Sequence, residues 1–453
     1  MSTTDARPES NLFYQSRQRR PMLDRAEGIY LYDRDGNAYL DGSSGAMVSN
    51  IGHSNPNVLA AMKRQMDKAT FGYRLHFENE PAELLATKTA SYMPDGMDRV
   101  FFVSGGSEAV ESCIKLARQY ALATGQEKRW KVISRTPSYH GATMGALALT
   151  GMNSMTDPFE PMMRMMPKIP APTCYLDRDN LTLEQRGTRY ADMLEDRIEQ
   201  EGPESVLAFI VEPIGGASTG ALVPPDTYLP RIREICDKYG ILLIYDEVMT
   251  GAGRTGKFLG GDHWPTARPD IIALSKGFAA GYAPLGAMVA HRRLVEPVLD
   301  HGGFVHGYTY AGNPLVCAAG LAVLAEVERQ DLVTRADVMG AKLKAELTGL
   351  MDRYPFIGDV RGRGMLLAFE LVADRETMEP LPKELNAFTE LVEEAYRRKL
   401  IIYARRTRGG VIGDHFLVCP PLIIDEDQIG ELMEKLTGAL DAFAEKAGLD
   451  KSS

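Results

Sequence analysis

A regular alternation of short apolar runs with amphipathic segments constrains the fold of this chain most. Segments such as Ser107–Ala123 and Tyr228–Tyr239 have helical periodicity and stop near glycines. Strands that alternate with helices in this way predict a mostly parallel sheet covered by helices, which is an α/β fold. The apolar runs predicted as its strands are Arg99–Val103, Lys131–Ser134, Val206–Val211, Ile241–Asp246, Ile271–Leu274 and Gly286–Val289.

The two ends of the chain have a different pattern, which predicts a second, smaller domain. After Pro314 the sequence changes to longer helices with a few strands, among them Met365–Val372 and Phe416–Val418. Apolar residues on both sides of turn residues predict a hairpin over residues 28–40. The expected division is an N-terminal segment (1–60) that contributes to the small domain, a large cofactor-binding domain (61–315) and a small C-terminal α+β domain (316–453).

Composition argues against several classes of protein. The chain has 453 residues, of which 44% are apolar and 25% charged, as is usual for a soluble globular protein. A net charge of −10 argues against a nucleic-acid partner. The sequence has no apolar run of about 18 residues and a polar N-terminus, so neither a membrane span nor a secretory signal is expected. The five cysteines are scattered, so we predict no disulfide and no metal site, and we expect a cytoplasmic protein.

A lysine and an aspartate at the ends of two predicted strands indicate a specific chemistry. Lys276 comes directly after Ile271–Ser275, and Asp246 ends the run that begins at Ile241. Both therefore lie at the carboxyl edge of the sheet, where open α/β folds bind ligands. Pyridoxal phosphate suits this pair, because the amine forms a Schiff base and the carboxylate pairs with the pyridinium nitrogen. The structural alternatives are a surface lysine paired with an acid, and an Asp246 paired with Arg254.

Two further motifs follow predicted strands at the same edge. Between a strand and a helix, Ser104–Ala109 offers glycines, free N–H groups and the Ser107 hydroxyl to a phosphate. The alternative is an ordinary turn in which Ser107 caps the helix. Tyr139 follows the next strand, where its ring can stack on a pyridine ring or pack in the core. Val248, two residues after Asp246, would pack on the opposite face of that ring.

Seven motifs occur in a fixed order along the chain: Ser104–Ala109, Tyr139–Gly141, Glu212–Pro213, Asp246–Val248, Gly251–Gly256, Ser275–Gly277 and His306–Pro314. Together they resemble the motifs of class III aminotransferases, which are pyridoxal-phosphate enzymes of fold type I. The resemblance runs from about residue 25 to residue 445.

The resemblance implies a role for each matching residue. Gly106 and Ser107 would bind the phosphate, and Tyr139 and Val248 would contact the two ring faces. Asp246 would hold the ring nitrogen, Lys276 would be the Schiff-base lysine, and Glu212 would support the site. Thr309 would contact the phosphate of the neighbouring subunit's cofactor. This last role implies a shared active site and thus a homodimer or a larger assembly.

Three positions differ from relatives that use 2-oxoglutarate. Those relatives carry an arginine where this chain has Ala142, a glutamate where it has Ala217, and often a glutamine where it has Met249. Loss of a bidentate arginine clamp should weaken the binding of a dicarboxylate. All three features resemble the ω-amino acid and amine:pyruvate transaminases. The expected reaction moves an amino group from an amine or ω-amino acid to pyruvate, giving alanine by a ping-pong mechanism.

In such enzymes a mobile arginine binds the carboxylate of pyruvate. Arg405 is the candidate, because it follows the strand-like Leu400–Tyr403. Arg406 and Arg408 are alternatives for the same role, and a solvated basic loop is the structural alternative.

The donor pocket is the least determined part of the sequence. Met47 and Tyr73 are predicted to contact substrate, and the natural donor stays open. Three other functions also stay open: a 2-oxoglutarate-dependent class III transaminase, for example of the 4-aminobutyrate type, an aminomutase or decarboxylase, and an inactive protein that binds pyridoxal phosphate.

Overall fold

Helices and strands alternate through most of the chain in the computed structural model, which describes residues 10–408 and 410–451. The strands are β1 (Leu23–Glu27), β2 (Tyr30–Asp33), β3 (Ala38–Asp41), β4 (Arg99–Val103), β5 (Lys131–Thr136), β6 (Lys168–Pro170), β7 (Val206–Val211), β8 (Leu242–Asp246), β9 (Ile271–Leu274), β10 (Gly286–Ala290), β11 (Ile357–Arg363), β12 (Leu366–Asp374), β13 (Glu379–Pro380), β14 (Leu400–Ile401), β15 (Tyr403–Arg408) and β16 (Ile412–Val418). The helices are α1 (Ser44–Met47), α2 (Pro56–Lys68), α3 (Glu80–Ala90), α4 (Gly106–Ala123), α5 (Met144–Leu149), α6 (Asn153–Thr156), α7 (Leu183–Glu201), α8 (Tyr228–Tyr239), α9 (Arg292–Asp300), α10 (Pro314–Arg329), α11 (Leu332–Arg353), α12 (Ala387–Arg397) and α13 (Glu426–Ala447).

A seven-stranded sheet forms the centre of the fold, with the strand order β4-β10-β9-β8-β7-β5-β6. The strands from β9 to β6 are parallel, whereas β10 runs antiparallel to both of its neighbours. The predicted α/β fold with a mostly parallel sheet is therefore confirmed. Neighbouring strands β8 and β9 pair with Asp246 opposite Ala273, so the residues that follow both strands share one edge.

Apolar residues cover both faces of this sheet. Along β8, Leu243 and Tyr245 pack in one buried cluster, while Leu242 and Ile244 pack in another. Successive residues of a strand point to opposite faces, so the two clusters lie on opposite sides of the sheet. Burial on both faces explains why the central strands are continuous apolar runs in the sequence.

The N-terminal hairpin belongs to a second sheet of order β1-β2-β3-β14. The predicted turn joins β2 and β3, which pair antiparallel, and β1 adds a strand that the sequence did not indicate. Strand β14 pairs parallel with β3, so the two ends of the chain share this sheet. That pairing is consistent with an N-terminal segment that contributes to the small domain, but the domain boundaries stay a prediction.

A third sheet, of order β11-β12-β16-β15, carries the basic stretch near the C-terminus. The arginines at positions 405, 406 and 408 lie within β15, so this stretch is a strand and the alternative of a solvated basic loop is wrong. Strand β12 starts one residue later than predicted and is longer, and β16 begins at Ile412. Among the described residues, no helix is long and apolar enough to cross a membrane.

Candidate active site

A cavity of about 160 Å³ lies where the helical covering meets the carboxyl ends of the central strands. The residues of this cavity come from five separate segments of the chain. Its lining includes seven of the residues predicted to bind the cofactor: Gly106, Ser107, Tyr139, Glu212, Asp246, Val248 and Lys276.

Lys276 lies in the turn that follows β9. Its φ of 48° falls in the left-handed region, which costs a residue with a side chain about 1–2 kcal/mol. Burial lowers the pKa of its amine to about 8, although Asp246 and Glu212 partly oppose this shift. Among residues 10–408 and 410–451, no carboxylate oxygen lies within 4.0 Å of the amine, so the alternative of a lysine paired with an acid is wrong. A buried amine with a lowered pKa is suited to act as a nucleophile and a base.

Asp246 ends β8, and each of its two carboxylate oxygens has a hydrogen-bonding partner. Its Oδ2 lies 2.8 Å from Nδ1 of the buried His140, and its Oδ1 accepts a hydrogen bond from the Val248 amide at 3.1 Å. The alternative partner Arg254 lies elsewhere, since it donates to the Pro420 carbonyl and to Asn50, both at 2.6 Å. The pairing of Asp246 with Arg254 is therefore wrong, and Asp246 faces the cavity with a fixed orientation.

A second buried pair lies behind the aspartate. Arg135 donates to the Glu212 carbonyl at 2.8 Å and lies 4.0 Å from the Glu212 carboxylate. The other oxygen of that carboxylate accepts from the Gly216 amide at 3.0 Å, which fixes the loop after β7. Burial raises the pKa of Glu212, and the neighbouring His140 and Arg135 oppose the shift.

The N-terminus of α4 forms a narrow cradle at the other end of the cavity. The N-cap residue Gly105 provides no side chain, and Ser107 is already inside the helix, so Ser107 is not the N-cap. The Ser107 hydroxyl instead accepts a hydrogen bond from the Ala142 amide at 3.0 Å. A Cβ at Gly106 would lie 2.8 Å from Val248, and a Cβ at Gly141, which has φ 138°, would lie 2.7 Å from the Ser107 hydroxyl. Open amides at a helix N-terminus with glycines around them suit a phosphate group.

Comparison with known proteins identifies the family. The model of the family "Aminotransferase class-III" matches residues 14–440. The chain belongs to the class III aminotransferases.

Several relatives of this transaminase are similar along nearly their whole length. An uncharacterized aminotransferase of Bacillus subtilis is 39% identical over 438 residues, which cover 96% of each chain. The putrescine–pyruvate aminotransferase of Pseudomonas aeruginosa is 35% identical over 426 residues, or 93% of this chain and 91% of that protein. A probable gamma-aminobutyrate transaminase of rice is 32% identical over 438 residues, or 95% and 89% of the two chains. A solved (S)-enantioselective omega-transaminase from Thermomicrobium roseum has a TM-score of 0.89 and 36% identity, and the match covers 97% and 96% of the two chains.

The residues of the cavity fit the cofactor of this family, pyridoxal phosphate. An amine with a lowered pKa, a fixed carboxylate, an aromatic ring and open amides at a helix N-terminus line one cavity. These are the groups that the aldehyde, the ring nitrogen, the ring face and the phosphate of the cofactor require. The aminotransferase is thus a pyridoxal-phosphate enzyme, as the sequence predicted.

Four predicted site residues lie outside the lining of the cavity. Met47 is buried in the short helix α1, and Tyr73 is half-buried with its ring 5.2 Å from that of His76. Thr309 is exposed in the turn before α10, and Arg405 is exposed on β15. Their substrate and cofactor contacts stay predictions.

Among the arginines on β15, Arg405 is close enough to the cofactor cavity to affect the pKa of Tyr139. Burial raises the pKa of the Tyr139 hydroxyl, and the positive charge of Arg405 acts against that shift. The guanidinium lies over the ring of Tyr403, 4.5 Å from its centre. Each of the three arginines donates to a backbone carbonyl: Arg405 to that of Ala404 at 3.3 Å, Arg406 to that of Val411, and Arg408 to that of Met378. In the described part of the chain, no carboxylate oxygen lies within 4.0 Å of Arg405.

His140 is the main site residue whose role the sequence did not indicate. It lies beside Tyr139 in a motif that was recognised, but its buried contact with Asp246 joins residues that are 106 positions apart. A histidine between an aromatic residue and a glycine at a strand end was the available signal. Ile214 and Thr250, which also line the cavity, carried no signal of their own.

Proposed function

We propose that this class III aminotransferase transfers an amino group from an amine or ω-amino acid to pyruvate, giving alanine by a ping-pong reaction. The observation that carries this choice is Arg405, a cation near Tyr139 with no carboxylate partner within 4.0 Å among the described residues. A guanidinium without an acidic partner can bind the carboxylate of a small keto acid in two hydrogen bonds. The similarity to a putrescine–pyruvate aminotransferase supports the same acceptor.

Uncharged residues around the cavity support a small acceptor as well. Ala217 and Met249 line the cavity, and Ala142 lies beside the Ser107 hydroxyl. At these positions the resemblance implies charged or polar residues in enzymes that use 2-oxoglutarate. Without a second cation at Ala142, the distal carboxylate of that dicarboxylate would lose its water without gaining an ionic partner.

Seven residues of the cavity have a proposed task in this reaction. Pyridoxal phosphate, when bound, supplies an aldehyde that carries the amino group and a ring that accepts electrons from the substrate Cα. Lys276 would attach the cofactor through its amine and then take up and return the proton at the substrate Cα. Asp246, oriented by His140, would keep the ring nitrogen protonated. Gly106 and Ser107 would hold the phosphate, and Tyr139 and Val248 would contact the ring.

The functional assembly is proposed to be a homodimer with shared sites. Thr309 lies in an exposed segment next to apolar side chains that are unusually open to solvent in a single chain. Val305 is 83% exposed, Phe77 is 71% exposed and Leu75 is 73% exposed. Large apolar side chains exposed to this degree favour a protein partner. A second copy on this surface would bring Thr309 to the partner's cofactor, and sedimentation would then give twice the mass of one chain.

A 2-oxoglutarate-dependent transaminase is the second candidate, because the chain is also similar to a probable gamma-aminobutyrate transaminase. The two candidates differ in the half-reaction that consumes the amino group. The pyridoxamine form should be converted by pyruvate much faster than by 2-oxoglutarate, as followed by cofactor absorbance. A higher rate with 2-oxoglutarate would refute the proposed acceptor. The cytoplasmic location stays a prediction.

A further inference from the structure

A buried histidine connects the strand that carries Arg405 with a loop that lines the cofactor cavity. His415 lies on β16 directly opposite Arg405 on β15. Directly opposed residues of an antiparallel pair point to the same face of the sheet, so the two side chains are neighbours. His415 is fully buried, whereas Arg405 extends to solvent. The histidine therefore lies on the buried side of the arginine and can influence its position.

Both ring nitrogens of His415 have a defined partner. Its Nε2 lies 2.8 Å from the carbonyl oxygen of Ala217, and its Nδ1 lies 2.9 Å from the hydroxyl of Thr407. A carbonyl can only accept, so Nε2 carries the proton and Nδ1 accepts from the hydroxyl. Burial lowers the pKa of His415 to about 3, with help from Arg361 and Arg405, so the ring is neutral and holds this one tautomer.

The two partners belong to different parts of the active site. Thr407 lies two residues after Arg405 on β15, on the same face of the strand. Ala217 lines the cofactor cavity and lies in the loop that Glu212 fixes through the Gly216 amide. His415 thus connects the predicted carboxylate-binding strand with the cavity wall through two hydrogen bonds.

Close packing leaves this connection little freedom. A Cβ at Gly220, in the same loop, would lie 2.7 Å from the His415 ring. Arg361 donates to the Thr219 carbonyl at 2.9 Å and forms an ion pair with Glu370 at 2.8 Å. Glu370 lies opposite His415 on β12, so the loop that contains Ala217 contacts neighbouring residues on adjacent strands of the third sheet.

We propose that His415 is a positioning residue for substrate binding. It fixes the distance between Arg405 and the cofactor cavity, and so determines how well the carboxylate of the keto acid is bound while the reacting carbon lies at the cofactor. This role rests on the proposed function of Arg405. It concerns the acceptor carboxylate, so an amine donor without a carboxylate should depend on it far less.

The test compares the two half-reactions in His415→Leu, which removes both hydrogen bonds. We expect the KM for pyruvate to rise about tenfold or more, because the loss of two buried hydrogen bonds lets β15 move relative to Ala217. The rate with a carboxylate-free arylalkylamine should change by less than about threefold. His415→Gln keeps a donor near the position of Nε2 and should recover most of the affinity. Thr407→Val, which removes only the bond to Nδ1, should give an intermediate KM.

A matched control and a double variant separate positioning from a general loss of structure. His263→Leu removes another histidine bond to a carbonyl, that of Thr255 at 3.0 Å, and should leave the KM for pyruvate unchanged. In an Arg405→Ala background, His415→Leu should have no further effect on that KM. Equal losses in both half-reactions, or additive effects of the two changes, would overturn the positioning role.

The outcomes also distinguish this inference from the proposed function. An Arg405→Ala enzyme with a normal KM for pyruvate would refute the role of Arg405 itself. A raised KM in Arg405→Ala with a normal KM in folded His415→Leu would refute only the role of His415. If His415→Leu does not fold, Thr407→Val and His415→Gln decide the question: a normal KM in Thr407→Val together with a raised KM in His415→Gln would reject the geometry described above.

Discussion

The lowered pKa of Lys276 gives a pH dependence that can be measured on the apoenzyme. Only the neutral amine can attack the aldehyde of pyridoxal phosphate. Burial lowers the pKa of this lysine from 10.5 to about 8, and a lower pKa increases the neutral fraction at any pH below it. The rate of Schiff-base formation should therefore rise with pH and level off above about pH 8.

The size of the effect follows from the two pKa values. At pH 7.5, a pKa of about 8 leaves about a quarter of the amine neutral, whereas an ordinary lysine is neutral to about one part in a thousand. Desolvation thus supplies a factor of about 200 in reactive amine near neutral pH. Asp246 opposes the shift, so Asp246→Asn should move the midpoint of the pH profile to lower pH.

The assay mixes apoenzyme with pyridoxal phosphate, traps the adduct with borohydride after short intervals and measures it by mass spectrometry. N-acetyl-lysine treated in the same way provides the reference for an amine in water and corrects for titration of the cofactor itself. A midpoint near 10.5 for the protein would mean that the amine is solvated. A midpoint that rises in Asp246→Asn would refute the electrostatic reasoning, because loss of a nearby negative charge cannot stabilise a cation.

Three other perturbations test separate parts of the site. Gly141→Ala places a Cβ 2.7 Å from a serine oxygen at a φ of 138°, so the Kd for pyridoxal phosphate should rise at least tenfold. Gly349→Ala, on an open helix face, is the control and should bind the cofactor normally. Glu247→Gln should lower the free energy of unfolding of the apoenzyme by about 1–3 kcal/mol, measured by thermal shift. The carboxylate accepts hydrogen bonds from two glycine amides at 2.8 and 2.7 Å, and in the variant one of these amides would meet an NH₂ group. An unchanged melting temperature would contradict this account. Mixing inactive Lys276→Ala subunits with impaired Thr309→Asp subunits should restore activity. If Thr309 acts on the partner's cofactor, one site of each mixed dimer combines an intact Lys276 with an intact Thr309. No recovery on mixing would exclude the shared site.

The central strands could be predicted because burial on both faces leaves a uniform apolar run. Strands β7, β8 and β9 are buried throughout and were recognised with nearly correct bounds. Strand β6 was missed because it has only three residues, of which one is buried. Strand β15 was missed because only Ala404 and Thr407 are buried in it, and three arginines occupy most of its remaining positions. Short or one-sided burial leaves a pattern too weak to separate a strand from a loop.

The site residues that could be predicted from the sequence are those that end or follow a strand of the central sheet. Parallel strands bring their following residues to one edge, so Asp246 and Lys276 could be expected to meet. No local pattern indicates which buried histidine contacts which partner. The contact of His140 with Asp246 spans 106 residues, and that of His415 with Ala217 spans 198. Such contacts depend on the packing of whole domains and become visible only in three dimensions.

The buried charges of the cavity are consistent with the proposed position of a cationic ring beside Asp246. Arg135 and Glu212 lie 4.0 Å apart and offset one another, and Lys276 is the one lysine or arginine among the described residues that line the cavity. Burial opposes the charge of that lysine, and catalysis requires its neutral form. With Lys276 neutral, the buried carboxylate of Asp246 keeps its contacts with His140 and the Val248 amide but has no lysine or arginine charge beside it among those lining residues. In the proposed site, a protonated ring nitrogen beside Asp246 would add a cation at the place where His140 already orients the carboxylate.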